Sequence, residues 1–230
     1  VTLELGGNAS VIVDEDVNVE SITDSIAKGA YLYAGQICIS TQRIFVHDKI
    51  FDRFQAALIS SIQKLKIGDA QDNEVLVGPV IDKGHLNRIH EWVTEAKDAG
   101  AKILFGGTVL SDDHNLYEPT LITNSNRSMK VAGEEVFGPV AVLERAKSFE
   151  DAIRMTNDSK YGLQVGVFTN SFANYQLATE ELEVGGVIMN SIPGFRIDHM
   201  PYGGVKDSGL GREGIKYAME EMTEGKLIVY

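Results

Sequence analysis

Residues 42–68, QRIFVHDKIFDRFQAALISSIQKLKIG, hold two hydrophobic periods in one stretch. QRIFV (42–46) is a short apolar run with branched and aromatic residues, the pattern of a buried strand. Beyond it Phe51, Phe54, Leu58, Ile62 and Leu65 recur at helical spacing, with Asp48 placed to cap the helix and Gly68 to stop it. A strand passing straight into an amphipathic helix is the repeating unit of an α/β fold.

The same grammar extends in both directions. Upstream, SVIV (10–13) reads as a short buried strand, and Ile22, Ile26, Ala30 and Tyr33 mark a helix from Ser21 to Tyr33. Downstream, Leu86, Ile89, Val93 and Ala96 mark a helix ending at Gly100, and the strand Lys102–Phe105 follows. Strands are then expected at 121–122, 140–143, 164–168, 187–189 and 226–230, with helices at 149–155, 172–182 and about 211–223. Residues 190–210, rich in Gly, Pro and Asp, read as a long loop, and loops of that length are often functional. The chain shows no internal repeat and no low-complexity linker. The expected fold is therefore α/β, a single three-layer domain around a mostly parallel sheet.

Composition narrows the function. The 230 residues are 43% hydrophobic and 23% charged, enough for a sizeable core without disulfides or metals. A net charge of −12 opposes nucleic-acid backbones and anionic membrane surfaces, so neither is an expected partner. No apolar run approaches the ~20 residues of a membrane-spanning helix. The single cysteine rules out an internal disulfide and suits a reducing, cytoplasmic compartment. The chain opens VTLELGG, in mid-strand by its pattern, as a piece of a longer polypeptide would.

Three places carry candidate chemistry. Cys38 lies in YLYAGQICISTQ (31–42), on the turn between a helix closed by Gly35 and the strand QRIFV. A loop on a rigid scaffold suits a nucleophile, and a thiolate can form a thioester; the alternative is a small buried residue packed like alanine. No histidine lies within eight residues of it. Glu4 stands in LELGGN, before Gly6 and Gly7, which permit a close approach to the backbone. It reads either as an exposed edge-strand carboxylate or as a general base. Glu134-Glu135-Val-Phe-Gly-Pro reads either as a plain helix-to-strand turn or as one whose carboxylate accepts hydrogen bonds from a ligand's vicinal hydroxyls, with Phe137 against a planar ring.

Other signals are weaker. Gly209–Gly214 (GLGREG) fits the dinucleotide pattern G-x-G-x-x-G, but a loop precedes it and only 16 residues follow, too few for a second strand and a ribose-binding acid. Its glycines serve the loop instead. His47, His85, His90, His114 and His199 form no metal-binding pair, so no metal is expected. The run Glu180-Glu181-Leu-Glu183 reads as a solvated helix face.

Taken in order, LELGGN, GQICIS, EEVFGPV, GLQVGVFT (162–169), Asn190 and PYGGVKDSGLGREG (201–214) resemble the aldehyde dehydrogenase superfamily over nearly the whole chain. The resemblance implies that Cys38 is the nucleophile and Glu4 the base that activates water. It implies coenzyme contacts, to NAD or NADP, from Glu135, Phe137 and Gly6. Ile37, Ile39, Arg196 and Tyr202 are the implied substrate contacts. Residues 1–9 then correspond to a lead-in from a coenzyme-binding domain, 10–225 to the catalytic domain and 226–230 to a strand used in subunit association, in a homodimer or homotetramer. The side-chain amide that helps hold the oxyanion in this family lies upstream of ELGG. The chain alone is accordingly expected to bind NAD⁺ weakly and to turn over little aldehyde.

The motifs look most like the lactaldehyde and non-phosphorylating glyceraldehyde-3-phosphate dehydrogenase branch. Ile37 stands where phosphate-using members commonly carry Arg, and Ser10 where Pro is common. A small, hydroxylated aldehyde is the expected substrate, with Arg196 free either to meet an anionic group or to form a loop salt bridge. A CoA-acylating enzyme is the alternative within the chemistry, though Glu4 favours hydrolysis. A non-catalytic oligomerisation or binding domain is the alternative outside it.

Overall fold

The computed structural model describes residues 1–230, and its elements follow the hydrophobic periods closely. β1 (Leu3–Glu4) and β2 (Ser10–Val13) precede α1 (Val19–Tyr31). β3 (Arg43–His47) leads into α2 (Phe51–Gln63), then α3 (Lys83–Asp98) and β4 (Lys102–Phe105). A small ladder, β5 (Val109–Ser111) with β6 (Leu116–Tyr117), precedes β7 (Thr120–Thr123). α4 (Lys130–Gly133), β8 (Val140–Ala146), α5 (Phe149–Asn157), β9 (Tyr161–Gly162) and β10 (Gln164–Phe168) come next. The chain continues through α6 (Phe172–Glu181), β11 (Gly186–Met189), β12 (Val205–Lys206), β13 (Gly209–Leu210) and α7 (Ile215–Glu221).

Seven strands form one sheet in the order β11-β10-β2-β3-β8-β7-β4. Every neighbouring pair is parallel except β7 with β4. The parallel strands are apolar on both faces, as a sheet covered on both sides requires. Val11, Val13, Ile44 and Val46 pack with residues of α1, α2 and α3 in a core of 32 buried side chains. Ile12 and Phe45, pointing the other way, pack with Phe149, Ala152 and Ile153 of α5 and Ala178 of α6. The period-2 alternation of the strands thus separates two helical layers, giving the expected three-layer α/β architecture. No helix is long and apolar enough to cross a membrane.

Several boundaries differ from the sequence reading. Asp48 heads a 3-10 turn, Asp48–Ile50, and α2 starts only at Phe51; the side chain that accepts a backbone N–H there is His47, from Lys49. α1 stops at Tyr31, and Tyr33, Ala34 and Gly35 all take left-handed backbone angles (φ 52°, 55° and 69°). A side chain at Gly35 would also collide with the carbonyl of Gly138. The loop 190–210 contains β12 and β13, whose partners are the distant β9 and β1, which no local pattern reveals. The last helix covers only Ile215–Glu221. Residues 226–230 form no ladder within the chain, and Leu227, Ile228, Val229 and Tyr230 are exposed.

Four of the segments singled out from the sequence enter the sheet at one end. Residues 4–8 precede β2, 36–41 precede β3, 134–138 precede β8, and β9 precedes β10. Buried polar side chains lock them together. Gln42 Nε2 donates to the carbonyls of Val131 (3.0 Å) and Glu134 (2.7 Å), and its Oε1 accepts from the Val136 N–H (2.9 Å). Asn8 Nδ2 donates to the Ala132 carbonyl at 2.8 Å. Arg43 donates to the carbonyls of Asn8, Met155 and Thr156; burial pushes its guanidinium down to about 10, so it stays charged at neutral pH. Replacing Gln42 with the similarly sized Met strands the Val131 carbonyl and the Val136 N–H, and leaves the Glu134 carbonyl only the 3.4 Å bond from Asn8 Nδ2. Urea unfolding of Gln42→Met is expected to show a loss of about 2–4 kcal/mol, since each stranded buried group costs roughly 1–3.

Candidate active site

Cys38 is placed by two constraints on its backbone. The left-handed turn at 33–35 reverses the chain after α1, and Thr41 N–H then donates to the carbonyl of Gly29, 3.0 Å away. Across the turn, Gly7 lies so close that a methyl group on it would strike the carbonyl oxygen of Cys38. The thiol is half-buried. Its Sγ lies 3.1 Å from the hydroxyl of Tyr202. Tyr202, Ile39 and Leu163 form a small buried apolar cluster, and Ile37 and Cys38 pack against its edge. The structure therefore gathers four of the residues singled out by sequence, Cys38, Ile37, Ile39 and Tyr202, around one sulfur.

Arg196 and Glu4 join them. The Arg196 guanidinium sits over the Tyr202 ring, 4.3 Å from its centroid, and pairs with Glu213 at 2.9 Å. Arg196 thus forms a loop salt bridge, and it also borders a cleft. Glu4 is carried on β1, which pairs antiparallel with β13 through Leu3 opposite Leu210 and Glu4 opposite Gly209. It is not a freely exposed edge carboxylate, because its Oε1 is buried and accepts no hydrogen bond. Thr2, Glu4, Arg196, Asp198, Arg212 and Glu213 line a cleft of about 570 Å³. Burial first, and then the nearby Glu213, push the Glu4 carboxyl above its ordinary range, while Arg196 and Arg212 pull it back. A carboxylate raised in this way is suited to accept a proton.

Glu135 stands on the other side of the Gly6-Gly7 turn. Its Oε1 accepts the N–H of Gly7 at 2.8 Å, and a side chain on Gly6 would come within 2.5 Å of its Oε2. Burial raises its carboxyl, and the Gly7 N–H and Arg88 oppose the shift. Phe137, two residues on, takes a left-handed angle (φ 48°) and leaves 38% of its surface exposed. No side-chain bond joins Glu135 to Cys38; Gly7 is the link, touching one through its N–H and the other through its Cα.

Some contributors escaped the sequence reading. Arg88 donates to the Val136 carbonyl at 2.7 Å and lies over Trp92, bracing the Glu135 turn from α3. Glu213 and Arg212 lie inside the GLGREG run, whose glycines drew attention to the wrong feature. Gly209 and Leu210 form the antiparallel ladder with β1, and the acid and base that follow face Glu4. No cluster of three or more His, Cys, Asp or Glu side chains suits a metal ion.

The raised Glu4 carboxyl has a consequence for stability. Between its unfolded and folded titration points the folded state holds the extra proton, so stability falls as pH rises through that window, which begins near 4.5. Glu4→Gln removes the term. Urea titrations at intervals from pH 4 to pH 8 should show wild type losing stability relative to Glu4→Gln as pH rises; a constant difference would contradict the assignment.

Comparison with known proteins identifies the family. Residues 1–228 match the model of the aldehyde dehydrogenase family. The chain is 45% identical over 229 residues to a 3-sulfolactaldehyde dehydrogenase of Priestia aryabhattai, covering 100% of this chain and 47% of that protein. Aldehyde dehydrogenase 21 of Physcomitrella patens, solved with the reaction product succinate, superposes with a TM-score of 0.93 at 39% identity, over 97% of this chain and 46% of that one. Glyceraldehyde-3-phosphate dehydrogenase of Methanocaldococcus jannaschii, solved with NADP, gives 0.90 at 39% identity, over 96% and 47%. The chain spans about half the length of the curated relatives it matches. By sequence and by fold, the chain belongs to the aldehyde dehydrogenase family.

Proposed function

We propose that the polypeptide containing this chain oxidises a small aldehyde bearing a hydroxyl or anionic group to the carboxylic acid, with Cys38 as nucleophile and Glu4 as general base. The observation that carries this reading is the single turn, Gly6-Gly7, that fixes Cys38 on one side and Glu135 on the other.

In the proposed reaction the Cys38 thiolate attacks the aldehyde carbon to give a thiohemiacetal. The backbone N–H of Cys38 donates to no acceptor in the protein, leaving it free for the developing oxyanion. Loss of hydride from that carbon leaves a thioester on Cys38. Glu4 then takes a proton from water as the water oxygen attacks the thioester carbonyl, and the C–S bond breaks to release the acid and the thiolate. The buried, unpartnered Oε1 of Glu4 favours this role, because a base must hold a lone pair that no protein donor occupies.

The residues present fit a nicotinamide coenzyme. Glu135 spends one oxygen on Gly7 and keeps the other clear beside a residue without a side chain, an arrangement suited to the hydroxyl pair of a ribose. Phe137 offers an exposed aromatic face two residues away. When bound, NAD⁺ or NADP⁺ supplies the hydride acceptor.

Substrate choice follows from what borders the sulfur. Ile37 and Ile39 give an apolar wall without a phosphate ligand, while Arg196 brings a cation over Tyr202. A sulfonated or carboxylated aldehyde is favoured, in keeping with the name of the Priestia relative and the product bound to the Physcomitrella enzyme. The exposed run Leu227–Tyr230 supports assembly into a homodimer or homotetramer.

The test is formation of reduced coenzyme by the polypeptide with 3-sulfolactaldehyde, lactaldehyde and an unsubstituted aldehyde. Cys38→Ala should abolish turnover, and retained turnover would overturn the reading. Glu4→Gln should lower kcat by about 10²–10⁴-fold, as loss of a general base does. Arg196→Gln should raise KM for the sulfonated aldehyde by roughly 10–100-fold, the worth of one charge-assisted hydrogen bond, and leave the unsubstituted one little changed.

A further inference from the structure

The hydroxyl of Tyr202 and the sulfur of Cys38 are 3.1 Å apart although 164 residues separate them in the chain. Little in the surroundings lets the phenol move. Its ring is 4% exposed and packs on Ile39 and Leu163. Its backbone exchanges two hydrogen bonds with Glu213, at 3.0 and 2.6 Å, and the Glu213 side chain holds Arg196 over the ring. The hydroxyl makes no hydrogen bond other than the one to sulfur.

The direction of that bond follows from the charges around it. Glu4, Arg196, Arg212 and Glu213 are the ionisable groups near this pair. Burial, the sulfur itself and Glu4 push the phenol far above its ordinary range, with Arg196 opposing. Tyr202 therefore keeps its proton and has it to donate. A hydrogen bond to an ionised acceptor is about twice as strong as one between neutral groups, so the donor favours the sulfur that has released its proton to solvent.

From this geometry we propose that Tyr202 is a positioning residue for the nucleophile: its hydroxyl donates to the Cys38 sulfur and holds it as a thiolate before substrate arrives, with Arg196 and Glu213 bracing the ring. The proposal rests on the reading of Cys38 as the nucleophile. It assigns to Tyr202 an action on the sulfur, distinct from contact with substrate.

The test is the rate of Cys38 alkylation by iodoacetamide as a function of pH, read on the Cys38 peptide by mass spectrometry. It needs neither coenzyme nor aldehyde, so its outcome is separate from that of the turnover assay. In Tyr202→Phe, which keeps the ring and its apolar contacts, the midpoint should rise by about one to two pH units, the size of one hydrogen bond to an ionised group. The plateau rate at high pH should stay level or rise, because a more basic thiolate is a better nucleophile. A purely structural role would change the plateau or the melting temperature and leave the midpoint in place. A midpoint within about 0.3 units of wild type, well under the shift one such bond commands, would overturn the proposal. If Tyr202→Phe fails to fold, 3-fluorotyrosine at position 202 decides: a stronger donor of nearly the same shape should lower the midpoint, and an unmoved midpoint would overturn the proposal equally.

Discussion

The backbone of Gly7 is the constraint on which the site depends. Its N–H is committed to Glu135, and its Cα faces the Cys38 carbonyl at a separation that admits no side chain. Two segments separated by almost a hundred residues are thereby held to one turn. An alanine there could not be absorbed by a rotamer change, because the atom it meets is a backbone carbonyl fixed between α1 and β3. Gly6 meets only the end of a Glu side chain, which can swing. The two neighbouring glycines are therefore unequal: one shapes the scaffold and the other leaves room for the Glu135 carboxylate.

The site lies at the amino ends of the parallel strands, where β2, β3 and β8 begin. In open α/β sheets ligands more often bind beyond the carboxyl ends, at a switch point in strand order. Loops entering strands have no helix N-terminus of their own to fix them, and buried side chains take over that task. Gln42, Asn8 and Arg43 bind loop carbonyls and one N–H, converting flexible connections into parts of the sheet. The Arg43 charge is satisfied by carbonyl dipoles without a carboxylate in contact, which leaves the nearby acids to act elsewhere.

Much of this could be read from the residues. Strand and helix periods located the sheet, because burial on two faces writes Val-Ile-Val and one-sided burial writes Phe51-Phe54-Leu58. Cys38, Glu4 and Glu135 stand out in the sequence because each lies within three residues of a glycine in a turn or strand end. The bracing residues were not, since a Gln or Arg at a strand end looks like ordinary surface until its distant carbonyls are known. The two short strands within 190–210 were missed for the same reason: their partners, Leu3–Glu4 and Tyr161–Gly162, lie far away in sequence. The apolar run 226–230 reads as a strand from its side chains, but a strand exists only where a partner is present, and this chain offers it none. Tyr202 could be named from its motif; its hold on the sulfur could not.

The ladder of β1 with β13 is two residues long, and Leu3 and Leu210 on it are exposed. Short, solvent-facing ladders open at a fraction of the cost of global unfolding. Glu4 is fastened through this clasp, whereas Cys38 is fastened to the core, so the clasp can part while the sheet stays intact. Its closure spans more than two hundred residues of chain, the kind of contact that forms late in folding. The sheet and the cysteine can be in place while Glu4 is still loose. Order of assembly thereby decides which side chain is fixed first: Cys38 can be in place before Glu4, which waits for residues 209–210 to pair with β1.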